Sequence, residues 1–291
     1  MRESTRSPIC DAVRSTARIV VLALPLGVVG CDDPSGAPVD PAVANDTGAA
    51  AALNARRLVP LSSELAAVVE SAEAGDAAAQ LVLADLFEAG DGRLRDDAKA
   101  RVWYRRAAEQ GLAEAQYGLG VLLFEGRGGP EEPEVGIEWL QESAAGGYLE
   151  AMNSLGIVYS MGRGIPKDSA EAMRWFARAA EGGHLTAQLS LGARFAAGYG
   201  APADAEKAAY WFHAAAEGGL PAAQWRYGLA LASGEGVPQD DVEAYVWLSL
   251  SGPARSHRAA GDLEDVASRL TQEQRLEARR RMAERVMGRL E

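Results

Sequence analysis

Cysteine is almost absent from this 291-residue chain: Cys10 and Cys31 are the only two, and none follows. No disulfide framework, Cys/His metal cluster or cysteine nucleophile can therefore exist in the body of the protein. Histidine is as scarce, at His184, His213 and His257, and no His-Glu-x-x-His, Ser-x-x-Lys or Gly-x-Ser-x-Gly occurs. The usual flags of a zinc protease, a penicillin-recognising enzyme and an α/β hydrolase are all missing. Lysine occurs only at positions 99, 167 and 207, and aromatics make up 7%. The chain carries a net charge of −12, which argues against nucleic acid as a partner, since neutralising the phosphate backbone drives most such binding. There is no long hydrophobic run either. The longest, Ile19–Val29, is about half the roughly twenty residues a spanning helix needs. The 48% apolar share leans on alanine, which favours helices and close helix contacts over a bulky sheet core.

The apolar run follows Arg2, Arg6, Arg14 and Arg18 and ends in Val28-Val29-Gly30-Cys31. A basic segment, a short apolar run, small residues and then cysteine resembles the lipobox of a bacterial lipoprotein signal, with Val28 where leucine is usual. The resemblance implies cleavage after residue 30 and lipidation of Cys31, which becomes the membrane anchor. A plain secretory signal that happens to contain a cysteine is the other reading. Asp32, directly after the cysteine, is the residue that retains such proteins at the inner membrane in enterobacteria; the rule differs among bacterial groups, so inner and outer membrane both stay open. Removing residues 1–30 deepens the net charge from −12 to −14, because four basic and two acidic groups leave. Residues 31–60, rich in Ala, Pro, Asp and Gly without hydrophobic periodicity, read as a flexible tether.

From there the chain repeats itself. Trp103, Trp139, Trp175, Trp211 and Trp247 are spaced 36 residues apart, and so are Gly90, Gly126, Gly162, Gly198 and Gly234. Ala79, Ala115, Ala151, Ala187 and Ala223 keep the same step. Each unit reads as two helices. In the second unit helix A spans Ala113–Glu125, with Ala115, Leu119, Gly120 and Leu123 on one face. Gly126 is a left-handed C-cap, and Pro130 prevents continuation. Helix B begins at an acidic N-cap, as at Asp96, Asp168, Asp204 and Asp240. In the third unit Ala172, Trp175, Phe176, Ala179 and Ala180 form its buried stripe, and the glycine pair Gly182-Gly183 turns the chain back. One such pair cannot bury that stripe alone, whereas stacked neighbours can.

Units such as Ala-Glu-Ala-Gln-x-x-Leu-Gly, Gly-Arg-Gly-Ile-Pro-Lys-Asp and Trp-Tyr-Arg-Arg-Ala-Ala-Glu-Gln-Gly resemble Sel-1-like repeats, relatives of the tetratricopeptide repeat. The resemblance implies an all-α, right-handed α/α superhelical solenoid. The expected organisation is a signal at 1–30, a linker at 31–60, a capping helix at 61–75, five repeats at 76–251 and capping helices at 252–291. Thr271-Gln272-Glu273-Gln274 is a capping-box pattern that starts the last helix. The second unit departs most, with Gly-Pro-Glu-Glu-Pro-Glu at 129–134 and Gly136 in place of alanine, and a less regular loop is expected there.

The five Gly-x-Gly turns follow helices and lack the Lys-Ser/Thr of a phosphate loop. His184 and His213 fall in columns that vary among the repeats and read as surface residues. Arg279, Arg280 and Arg281 read as a solvated helix face. No cofactor, metal or catalytic set is expected. What remains is a surface. On helix A the columns opposite the packed stripe hold Leu81, Tyr117, Val121, Phe124, Ile157, Leu189, Trp225 and Leu229, where solvent alone would favour polar residues. These either line a groove for a protein or peptide partner, with Tyr117, Phe124 and Trp225 as aromatic anchors, or pack between successive A helices and against the caps. In families of this kind helix A lines the concave side. The expectation is an envelope-tethered adaptor; a cell-wall or β-lactam hydrolase, and a subunit of an export complex, are the alternatives.

Overall fold

The computed structural model describes residues 63–90, 95–252 and 257–288, so the signal, the tether and the Cys31 anchor lie outside the described residues. All regular structure among the described residues is helical. After α1 (Ser63–Glu73) come five A/B pairs: α2 (Ala77–Ala89) and α3 (Asp97–Ala108), α4 (Ala113–Glu125) and α5 (Pro133–Ala145), α6 (Leu149–Met161) and α7 (Ser169–Glu181), α8 (Leu185–Ala197) and α9 (Ala205–Glu217), α10 (Pro221–Ser233) and α11 (Asp241–Leu250). Two more, α12 (His257–Arg269) and α13 (Gln272–Met287), pack on α11. Each A helix packs against the B helix of its own repeat and the B helix of the one before, so the contacts run along the chain as in a solenoid. No helix among the described residues is long and apolar enough to cross a membrane.

The local signals act as the sequence predicts. Helix α4 has the expected bounds, and Gly126 closes it at φ +69°. Asp96, Asp168, Asp204 and Asp240 accept hydrogen bonds from the first-turn amides of Lys99, of Ala170 and Glu171, of Lys207 and of Glu243. The Thr271/Gln274 capping box is formed in both directions. The second unit is more regular than expected. Its loop keeps Gly126 and Gly128 at positive φ, and α5 starts at the same repeat position as α7. It does lack a side-chain cap: Glu132 instead pairs with Arg101, and Pro133 supplies the first helical residue, whose amide needs no partner. Gly136 lets α5 come unusually close, since a Cβ there would lie 2.7 Å from the Gly120 carbonyl oxygen.

Two features hold one repeat to the next. The second glycine of the Gly-x-Gly turns at 128, 164, 200 and 236 rests on the start of the preceding B helix: a Cβ at Gly200 would lie 2.2 Å from the Ser169 carbonyl oxygen, and one at Gly236 would lie 2.0 Å from that of Ala205. A buried glutamine near the start of helix A donates to a carbonyl at the end of the preceding B helix. Gln80, Gln116, Gln188 and Gln224 reach Ala72, Ala108, Ala180 and Ala216 at 3.1 to 3.4 Å. Each of these carbonyls also accepts the amide of the turn glycine, Gly75, Gly111, Gly183 or Gly219, so the glutamine is a second donor that ties the next helix to the same oxygen.

The tryptophans are not the deepest members of their stripe. Trp103, Trp139, Trp175 and Trp211 are half-buried, while the neighbours Tyr104, Leu140, Phe176 and Phe212 are buried. Only Trp247 is fully enclosed, where α13 lays Arg285 over its ring at 4.2 Å and anchors that guanidinium on Glu217 and Glu243 at 2.8 and 2.6 Å.

Candidate functional site

The structure divides the eight candidate residues on helix A. Leu81 is 2% exposed, and Val121 and Phe124 are also buried, so these three pack the stack and offer no free surface. The cause is the next repeat: Arg163 lies over the Phe124 ring at 4.7 Å and donates to its carbonyl oxygen at 3.2 Å. Tyr117 is half-buried against Tyr148, ring centroids 5.3 Å apart, and burial pushes its hydroxyl pKa up. The Trp225 indole donates to Asp262 of α12 at 2.9 Å, so this aromatic meets a terminal helix. Ile157, Leu189 and Leu229 are half-buried.

The open part of the A-helix side lies between α6, α8 and α10. A groove of about 590 Å³ runs there, lined by Ile157, Ser160 and Met161 on α6, Ser190 and Arg194 on α8, and Arg226 on α10, with Phe176 at its floor and Tyr199 from the following turn. Met161 and Tyr199 are 44% and 65% exposed. The groove continues past Arg226 into a second recess of about 380 Å³ beside Leu229, where Glu235, Asp262, Asp265 and Arg269 sit. Of the sequence candidates, only Ile157 and Leu229 reach these walls.

Arg194 was not singled out from sequence, although its column carries a signal. The same position in the first three repeats holds Leu86, Leu122 and Val158, and a guanidinium interrupts that apolar series. Its side chain lies over the Phe176 ring at 4.9 Å and donates to the Ser160 hydroxyl, which itself donates to the Gly156 carbonyl at 2.6 Å. Burial pushes its pKa down. Arg226 likewise replaces small residues, Gly118, Ser154 and Ser190, and stacks over Trp225 at 5.3 Å. The earlier arginines behave otherwise: Arg127 forks onto Asp97, at 3.1 Å for both bonds, and reaches Glu88 at 2.8 Å, tying two repeats together.

The histidines have structural duties. His184, read as a surface residue, is the half-buried N-cap of α8: its Nδ1 accepts from the Ala187 amide at 3.1 Å, and burial holds its pKa below 6.5. Both effects favour the neutral ring. His213 stacks on Tyr227 at 4.6 Å and edge-on to Trp247 at 5.9 Å, with Glu217 3.4 Å away. The side chain of His257 lies outside the described residues. Arg280 and Arg281 sit on Glu277 at 2.9 Å and hold its carboxyl at about 2, as befits an exposed helix face. Among the described residues no group of three or more His, Cys, Asp or Glu side chains is placed to hold a metal ion.

With this geometry in hand, residues 77–112, 113–148, 149–184, 185–220 and 221–252 each match the Sel1 repeat family. Among solved structures, a Sel1 repeat protein from Oxalobacter formigenes is 34% identical with a TM-score of 0.65, covering 71% of this chain and 60% of that one. A protective antigen present in uropathogenic Escherichia coli strains and displaying an SLR fold is 28% identical with a TM-score of 0.49, covering 77% of this chain and 56% of that one. The chain thus spans 60% or less of the length of either. No curated protein matches it.

Proposed function

Because the chain belongs to the Sel1 repeat family, a family of protein-interaction scaffolds that is generally non-enzymatic, we propose that it is an adaptor of the bacterial cell envelope, held to a membrane through Cys31 and offering its concave A-helix side to a protein or peptide partner. The observation that carries this reading is the contrast along the array. Leu81, Val121 and Phe124 on the A helices of the first two repeats are buried, whereas the A helices of the last three leave a groove with exposed Met161 and Tyr199 beside cationic side chains. Apolar side chains and arginine together are the composition of interface centres. A tether of some thirty residues would let the body reach partners away from the lipid. The lipobox resemblance supports the anchor.

A photo-reactive phenylalanine analogue tests the surface when placed at Ala197, on the groove, and at Tyr210, exposed on the B-helix side. In cells of a native host, irradiation is expected to give a discrete adduct from position 197 and none from 210. Labelled palmitate should enter the protein and be lost with Cys31→Ser. Equal adducts from both positions would remove the surface assignment, and an unlabelled protein would remove the anchor.

A further inference from the structure

Resting on that scaffold reading, we infer that the groove between α6, α8 and α10 recognises an acidic peptide, with the side-chain carboxylates of the partner received by Arg194 and Arg226 and its apolar side chains laid against Met161 and Tyr199. The two guanidiniums form no ion pair among the described residues, although the chain as a whole is strongly acidic and the arginines of the earlier Gly-x-Gly turns, Arg127 and Arg163, are matched with carboxylates. No acidic residue lines this part of the groove. The adjoining recess, which Arg226 also lines, holds Glu235, Asp262 and Asp265, and of these Asp262 accepts from the Trp225 indole.

Arg194 is an unpaired charge partly withdrawn from water, which is costly, and a partner carboxylate would supply the missing charge; Arg226 stands exposed beside it. Arg194 is also held ready. Stacking on Phe176 and the bond to Ser160 fix the plane of its guanidinium and leave donors over to grip a carboxylate with two parallel bonds. Rigid donors lose less freedom when they bind, so the same contact gives more affinity than a loose lysine would. The apolar neighbours add area and exclude water around the pairs. Ser190 on the wall is suited to the peptide backbone, since the Ser160 hydroxyl is engaged with Arg194 and the Gly156 carbonyl. The chemistry is thus a short extended segment in which acidic and apolar side chains alternate.

Fluorescence polarisation of the purified full chain tests this with a labelled, acetylated and amidated heptapeptide of alternating leucine and glutamate, and with its leucine–glutamine counterpart. At low salt the glutamate peptide is expected to bind at least tenfold more tightly, and the preference should shrink as salt rises. In the variant Arg194→Met with Arg226→Met the ratio falls to about one. Because Arg194 packs on Phe176, the exposed Arg226→Met alone serves as a second variant; it should lower the ratio several-fold at an unchanged melting temperature. A wild-type ratio near one, or a ratio that both variants keep, overturns the inference. So does a tenfold gain in affinity on deleting residues 31–60, which would make the acidic tether with Asp32, Asp33, Asp40 and Asp46 the occupant. If the inference fails while position 197 still gives its adduct, the scaffold reading stands; if that adduct is missing as well, both fall.

Discussion

Gly200→Ala is expected to lower the melting temperature of the full chain by about 10 °C, and Gly183→Ala by only about a third of that. Both glycines have left-handed backbones, at φ +86° and +92°, so both substitutions carry the same conformational penalty of roughly 1–2 kcal/mol. Their surroundings differ. A Cβ at Gly183 meets nothing within 4 Å, while one at Gly200 would sit 2.2 Å from the Ser169 carbonyl oxygen and 2.7 Å from its carbon. That obstacle is backbone at the first turn of α7, so it cannot rotate aside; the turn must lift off the preceding repeat, at a further cost of roughly 1–3 kcal/mol. Together these amount to roughly 2–5 kcal/mol, which at 2–4 °C per kcal/mol centres on the expected shift. Equal melting shifts for the two variants would show that the second glycine of the Gly-x-Gly turn serves only its own turn.

The other large effect separates the two aromatics of one stripe. Phe176→Ala should cost about 3–5 kcal/mol, the range for emptying a buried aromatic site. Phe176 is 3% exposed and lies so close to α6 that a Cβ on Gly156 would be 2.8 Å from its ring. Backbone contacts of that kind leave little room for the site to collapse, so the cavity remains. Trp175→Ala removes a larger side chain yet should cost less than half as much, because Trp175 is half-buried and the flexible Arg178 lies over its ring at 4.6 Å. Urea midpoints of the two variants decide it, and a costlier Trp175→Ala would contradict the packing described.

This ordering shows where the sequence was readable. Period, pair boundaries and caps depend on contacts close in sequence, so Ala113–Glu125, the aspartate caps and the Thr271 box could be read from one strand of text. Depth depends on which face the neighbouring repeat covers. The tryptophan column, as constant as the glycine and alanine columns, was read as part of the buried stripe, yet it is only half-buried except at Trp247, where α13 closes over it. The glutamine column was visible at positions 80, 116, 188 and 224, but its purpose appears only when the carbonyl end of the previous helix is placed beside it. On the candidate surface the same limit applied. Leu81, Val121 and Phe124 share a helix face with Ile157 and Leu229, and only the stacking angle decides which of them the next helix hides. Arg194 could have been found, since a cation stands there in a column of leucine and valine.

The body of the protein is a stack of interchangeable 36-residue units. Interchangeability is tested most directly by excising one, residues 149–184, from the full chain and recording circular dichroism during thermal melting. The shortened protein should remain helical and melt cooperatively at a lower temperature, because Tyr148 would then lead into Leu185 in register, while removing the 30 residues 149–178 should abolish the transition. Loss of the transition in the in-register deletion as well would mean that the repeats do not hold one another as the structure shows.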